Sequence, residues 1–183
     1  MTDTSDPAVG GNEWEILTYP DRRLRIKSQP VTEITDDIRR KCLALMDLMH
    51  EAKGIGLAAP QVAWHARVLA INLSGQRRDG LIFLNPEIIE RSKSTNEAYE
   101  ACLSVPGISG KVVRPREIKI RCMNTDGETN EFSLDGLPAR CFLHEYDHLM
   151  GTLFIDRLSP ARKHAIKGKL RRLRRKHGEG KNE

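Results

Sequence analysis

The order of elements along the chain predicts an α+β fold: antiparallel β-sheets packed around a central helix, with one helix in the N-terminal half and a basic helix at the C-terminal end. Three observations predict it. A helical hydrophobic period occupies residues 38–49, short β-branched runs separated by turn signals fill the middle, and two helix-start signals follow the last of those runs. The strands run consecutively instead of alternating with helices, which argues against a parallel βαβ sheet.

The first dozen residues are polar, glycine-containing and aperiodic, so residues 1–13 are expected to form a flexible arm, with order starting near Trp14. Thr35 is a suitable N-cap for Asp36 and Asp37, and Ile38, Cys42, Leu45, Met46 and Met49 then recur at helical spacing, with a stop expected by Gly54. RVLAINL, LIFLNPEII and REIKIRCM read as strands; in the last, Ile118, Ile120 and Cys122 alternate with charged neighbours. TDG at 125–127 is the turn between two strands, and LDG at 134–136 ends the next. A helix begins near Pro138, whose missing N–H is harmless in a first turn, and Gly151 stops it. Ser159 and Pro160 open the last helix, expected to reach about His177. The expected organisation is a single domain over 14–160, followed by a basic helix and tail over 161–183.

Composition narrows the function classes. At 183 residues the chain has room for one domain, and no apolar run is long enough to cross a bilayer. The N-terminal MTDTSDPAVGGNEWE lacks the basic start and apolar stretch of a secretory signal, so a cytoplasmic location and no membrane partner are expected. Four cysteines, Cys42, Cys102, Cys122 and Cys141, show no disulfide-like pairing and read as reduced thiols. Charge is uneven: Arg162–Lys176 carries nine Lys or Arg and no acid, so whatever that segment binds is anionic.

The chemistry starts at HEYDH, residues 144–148. Four residues is just over one helical turn, so His144 and His148 project from one face and can grip one metal ion, while Glu145, rotated by roughly 100°, stands beside it as a general base. This makes the central helix of the fold the metal-binding one. The extended protease pattern HExxHxxGxxH fails here, because Phe154 stands at the third histidine. EACLSVPG at 100–107 offers Cys102, in what reads as an extended segment, as a soft third donor; Cys42, Cys122 and Cys141 fall on apolar faces and read as small core residues. GIGLAAPQ at 54–61 strings glycines and alanines together where a backbone could approach a ligand or strand closely.

Together GIGLAAPQ, EACLSVPG and LHEYDH resemble, in order and spacing, the three motifs of the peptide deformylase family, GxGxAAxQ, EGCLS and QHExDH, and the likeness extends to ILTYPDRRLR at 16–25. The resemblance implies a metal-dependent hydrolase that removes the formyl group from N-terminal N-formylmethionine of nascent polypeptides. It implies Cys102, His144 and His148 as ligands of one divalent ion, Fe(II) in the first place, with Zn, Ni or Co able to occupy the same donors. It further implies Glu145 as general acid/base, Gln61 and the Leu103 backbone N–H as oxyanion donors, and Gly56, Glu100 and Ala101 on the substrate side. Two positions depart from the pattern: Ala101 replaces Gly, and Leu143 replaces Gln, which puts substrate preference in question but touches no ligand, base or oxyanion donor.

In ARKHAIKGKLRRLRRKHG, Ile166, Leu170 and Leu173 share a helical stripe and basic residues cover the rest. This is either a solvated face or, as the resemblance implies, a ribosome-docking helix on a monomeric enzyme. Two rival readings are a ribosome- or nucleic-acid-binding protein with a structural metal or inactive site, which needs a fourth protein ligand, and a zinc peptidase, which would cut internal peptide bonds.

Overall fold

The computed structural model describes residues 14–179; the expected arm, 1–13, lies outside them. Helix α1 (Asp36–Glu51) starts where Thr35 accepts a 3.3 Å hydrogen bond from the Ile38 N–H. Its apolar stripe, Cys42, Leu45 and Met49, packs on Leu57, Val68, Ala70 and Leu84. Strands β1 (Gly56–Ala58), β2 (Val68–Ile71), β3 (Leu81–Arg91), β6 (Glu117–Met123) and β7 (Thr129–Asp135) form one antiparallel sheet in the order β1-β2-β3-β6-β7. Strands β4 (Thr95–Ala101) and β5 (Ser109–Pro115) pair separately, with Glu100 opposite Gly110.

Helix α2 (Leu137–Leu149) lies between these sheets and packs against β1, β2, β5 and β7. Ten of its thirteen residues are buried, which is why its sequence carries no clean polar face. Phe142 and Leu149 sit with Phe83, Ile118 and Ile120, and burying a side chain such as Phe142 stabilises the fold by about 1.5–3 kcal/mol. Gly136, at φ +62°, turns the chain from β7 into α2 with Pro138 in the first turn, and Gly151, at φ +69°, ends it. A side chain at Gly151 would also meet the Arg25 carbonyl oxygen at 2.5 Å.

Helix α3 (Pro160–Glu179) buries Ile166 and rests Leu170 and Leu173 against Val105, Val112, Leu153 and Phe154. Arg174 donates a 2.7 Å hydrogen bond to the Tyr19 hydroxyl, and Arg162 bonds Glu97 at 2.6 Å and the Lys111 carbonyl at 3.0 Å. The helix is thus fixed along one stripe and at two polar points.

The sequence did not signal β1, β4 or β5. β1 is three residues inside a Gly/Ala string, β4 reads TNEAYEA, and β5 contains both glycine and proline. The extended segment expected around Cys102 is corrected: β4 stops at Ala101, and the Val105 N–H bonds the Cys102 carbonyl at 2.9 Å, so Cys102 to Val105 form a turn. That turn aims the thiol inward, off the end of the strand.

Candidate metal centre

Residues 144 and 148 lie one turn apart on α2, and both rings are buried, at 9% and 1% exposure. Their centroids are 5.3 Å apart, and Phe154 stacks on the His144 ring at 6.0 Å. The Cys102 Sγ, arriving from the end of β4, lies 3.2 Å from His148 Nε2. Cys102, His144 and His148 each place a donor atom within 4.8 Å of the other two, the only such group of three among the described residues. Donors around a tetrahedral ion with bonds of about 2.0–2.3 Å stand roughly 3.3–3.6 Å apart, so this set can close on one ion by small adjustments.

Glu145, one residue on from His144, is 4% exposed, and among the described residues its Oε2 has no hydrogen-bond partner. Burial pushes its carboxyl up to about 7, against the pull of His144 and Arg114. A buried carboxylate oxygen without a partner is costly unless something polar meets it, and the three donors beside it say what: an ion with its solvent. The residues present therefore fit a metal centre. Gly56 makes room for this carboxylate, since a Cβ at Gly56 would lie 2.5 Å from Glu145 Oε1 and 2.9 Å from its Cδ and Cγ.

A charged network holds the helix face in place. Glu100 accepts hydrogen bonds from Arg114 Nε (2.7 Å) and Nη2 (2.8 Å), Arg140 Nη1 (2.6 Å) and His144 Nδ1 (3.0 Å). Burial alone would raise the Glu100 carboxyl, yet hydrogen bonds from Arg114 and His144 bring it down to about 2, so it is ionised. Occupying His144 Nδ1 leaves its Nε2 as the free donor for an ion. Arg114 also bonds Asp147 at 2.8 Å, and Asp147 takes a bidentate pair from Arg157 at 2.6 and 3.1 Å. Arg140 reaches the Val112 carbonyl and Asn96. Burial lowers the pKa of His148 well below the usual imidazole range; for His144, hydrogen bonds with Cys102 and Glu100 outweigh burial and raise it.

A cleft of about 540 Å³ opens above these groups, and every site position read from the sequence lines it except His148, which lies deeper. Gln61, 2% exposed, is oriented by accepting the Ala58 N–H at 2.8 Å; its amide nitrogen donates to Ser104 Oγ at 3.0 Å and lies 3.7 Å from Cys102 Sγ. Leu103 turns at the cleft wall beside Gly54, and Ala101 is exposed at the end of β4. Glu100 also lines the cleft, with its carboxylate taken up by two guanidinium groups and an imidazole. Leu143 points into the hydrophobic core, where a glutamine amide would lack the apolar fit.

Sequence reading missed Arg114, Arg140, Asp147 and Ser104. Arg140 had a signal, standing at i−4 from His144 on the helix face that carries the histidines. Arg114 had none until β5 is known, when it becomes the inward residue after Gly110 and Val112.

Known proteins share this arrangement of chain. Residues 14–164 match the sequence model of the polypeptide deformylase family. Peptide deformylase 1 of Burkholderia multivorans is 44% identical over 160 residues, covering 87% of this chain and 88% of that one. Peptide deformylase 1 of Ralstonia nicotianae is 45% identical over 157 residues, covering 86% and 93%. The crystal structure of the Plasmodium falciparum peptide deformylase superposes with a TM-score of 0.87 at 40% identity, covering 90% of this chain and 97% of that one. A plant peptide deformylase 1B superposes with a TM-score of 0.91 at 35% identity, covering 96% and 97%. With matches of this extent in both sequence and backbone, the chain belongs to the polypeptide deformylase family.

Proposed function

We propose that this chain removes the formyl group from the N-terminal N-formylmethionine of nascent polypeptides, with Cys102, His144 and His148 holding one divalent ion and Glu145 moving the proton. One observation carries the assignment of residues: a thiol and two imidazoles converge beneath one cleft that is also lined by Glu145, whose buried carboxylate oxygen has no partner among the described residues. Three protein donors are the number found in catalytic metal sites, where a fourth position stays with solvent, whereas a structural site needs four. This separates the reading from a structural metal on a binding protein.

When bound, the ion supplies Lewis-acid polarisation and lowers the pKa of water at the site. Glu145 takes a proton from the attacking water and delivers it to the amine nitrogen of methionine as the C–N bond breaks, so formate and a free amino terminus leave. The Gln61 amide and the Leu103 N–H donate to the oxygen that develops negative charge on the formyl carbon. Glu100 positions His144 through Nδ1, and Gly56 with Ala101 presents backbone to the peptide.

Fe(II) is the proposed ion, since a thiolate with two imidazoles suits it, as it does Zn, Ni or Co. Activity should then decay in air and persist under reductant. We place the enzyme in the cytoplasm as a monomer, with the outer face of α3, around Arg171 and Arg175, docking on the ribosome; no helix among the described residues is long and apolar enough to cross a membrane. Cosedimentation with ribosomes that survives removal of 161–183 would discard the docking.

The test of the chemistry is formate release from a formyl-methionyl peptide by anaerobically purified protein, beside Cys102→Ala and Glu145→Ala. Metal-loaded protein that releases no formate would sink the reading.

A further inference from the structure

We propose that a basic groove beside the cleft mouth binds acidic residues in the downstream part of the substrate chain, making this enzyme prefer acidic nascent peptides; the proposal rests on the deformylase reading. The groove, about 300 Å³, runs between α3 and the turn after Cys102. Lys169, Arg172 and Lys176 line one side, and Pro106 and Gly107 the other. The same Pro106 and Gly107 form part of the catalytic cleft wall, so the two depressions meet across them.

Three features fit a peptide carboxylate. Lys169, Arg172 and Lys176 stand at i, i+3 and i+7, so they share one helix face. Arg162 and Arg174 are tied to Glu97 and Tyr19, but among the described residues these three cations carry no hydrogen bond or ion pair. Their charge is directed at whatever enters the groove. Gly107, at φ +71°, has open space where a side chain would stand, so a chain leaving the cleft crosses it unobstructed. A peptide whose formyl end reaches the metal centre and whose body passes Gly107 brings its later side chains against α3. Aspartate or glutamate there pairs with Arg172 by a charge-assisted hydrogen bond and with the two ammonium groups by attraction.

The experiment uses the full-length, metal-loaded enzyme and formyl-methionyl peptides in which a Glu-Glu pair is moved outward one position at a time from the third residue. At low ionic strength the pair should lower KM by about threefold to tenfold at the positions that reach the groove, leave kcat unchanged, and lose its effect in high salt. The triple variant Lys169→Glu, Arg172→Glu, Lys176→Glu should reverse the preference toward Lys-Lys peptides while turning over a short neutral formyl-methionyl peptide at the wild-type rate. A KM independent of the acidic pair, or a preference that persists in the triple variant, overturns the proposal. So does a triple variant that loses affinity for single-stranded RNA without any change toward acidic peptides. If wild-type enzyme fails even on the neutral peptide, it is the deformylase reading that falls. The groove is then judged by fluorescence anisotropy of a labelled acidic peptide, with equal binding by wild type and triple variant counting against it.

Discussion

Replacing Gly56 with alanine adds one methyl group at the most crowded point of the catalytic cleft. The new Cβ would stand 2.5 Å from Glu145 Oε1 and 2.9 Å from both Cδ and Cγ, where unstrained carbon contacts lie near 3.5–4.0 Å. Glu145 cannot swing into solvent to relieve this, because it is 4% exposed and its helix is packed on both sides. Its carboxylate must retreat by roughly 1 Å, and a displacement of that size at a reacting group costs on the order of a hundredfold in rate. That corresponds to about 2.7 kcal/mol of lost transition-state stabilisation. Overpacking should lower stability by about 1–3 kcal/mol, which for a chain of this size is a fall in Tm of roughly 2–12 °C. The metal ligands are untouched, so ion content should stay at one per chain. The assay is kcat/KM for formate release, with metal analysis and thermal melts on the same preparation. Wild-type kcat/KM in a folded Gly56→Ala protein would refute the placement of Glu145 beside the reacting atoms. A loss of metal parallel to the loss of rate would show that the glycine serves the ligands instead.

Glu145→Gln keeps the shape of the side chain and removes its basicity, so it should bind the ion normally and lose about 10²–10⁴ in kcat; the check is metal content against turnover. Glu100→Ala leaves Arg114 and Arg140 facing an empty buried site and frees His144 Nδ1. Urea melts should show about 3–5 kcal/mol of lost stability, and metal titration a 10–100-fold weaker affinity. Thiol labelling separates the cysteines: burial pushes Cys42 up to about 12 and Cys122 up to about 11, and raises Cys141 as well, whereas Cys102 is only partly buried. Metal-stripped native protein at neutral pH should therefore label at Cys102 alone, metal-loaded protein at none, and denatured protein at all four, as read by intact mass.

What could be read from the sequence was whatever is encoded in a short stretch of chain. His144, Glu145 and His148 declare themselves because a helix converts spacing of four into one face, and Thr35, Pro138, Gly151 and Ser159 mark helix ends through local chemistry. Cys102 was located by its motif, but its geometry was not: the thiol reaches His148 because β4 ends and the chain turns, which depends on pairing with β5. Arg114 was invisible for the same reason. An arginine in KVVRP is unremarkable until the register places it inward, next to Glu100 and Asp147, and register is a non-local property. Leu143 was expected to matter by removing a polar group at the site, whereas its side chain packs in the core beneath the helix.

The buried network poses a question of purpose, since a buried ion pair adds little net stability compared with apolar residues of similar volume. Glu100, Arg114 and Arg140 sit where α2 meets β4 and β5, a place that leucine and methionine could fill. The triple variant Glu100→Leu, Arg114→Met, Arg140→Met separates the two roles. Removing all three leaves no orphaned charge, because Asp147 keeps its bidentate pair with Arg157. Stability should return to within about 1.5 kcal/mol of wild type, well above the Glu100→Ala protein. Metal affinity and kcat should remain depressed, because His144 Nδ1 still lacks the acceptor that fixes its ring. Recovery of both would mean that the network only fills space. Recovery of stability alone would mean that these charges are there to aim an imidazole.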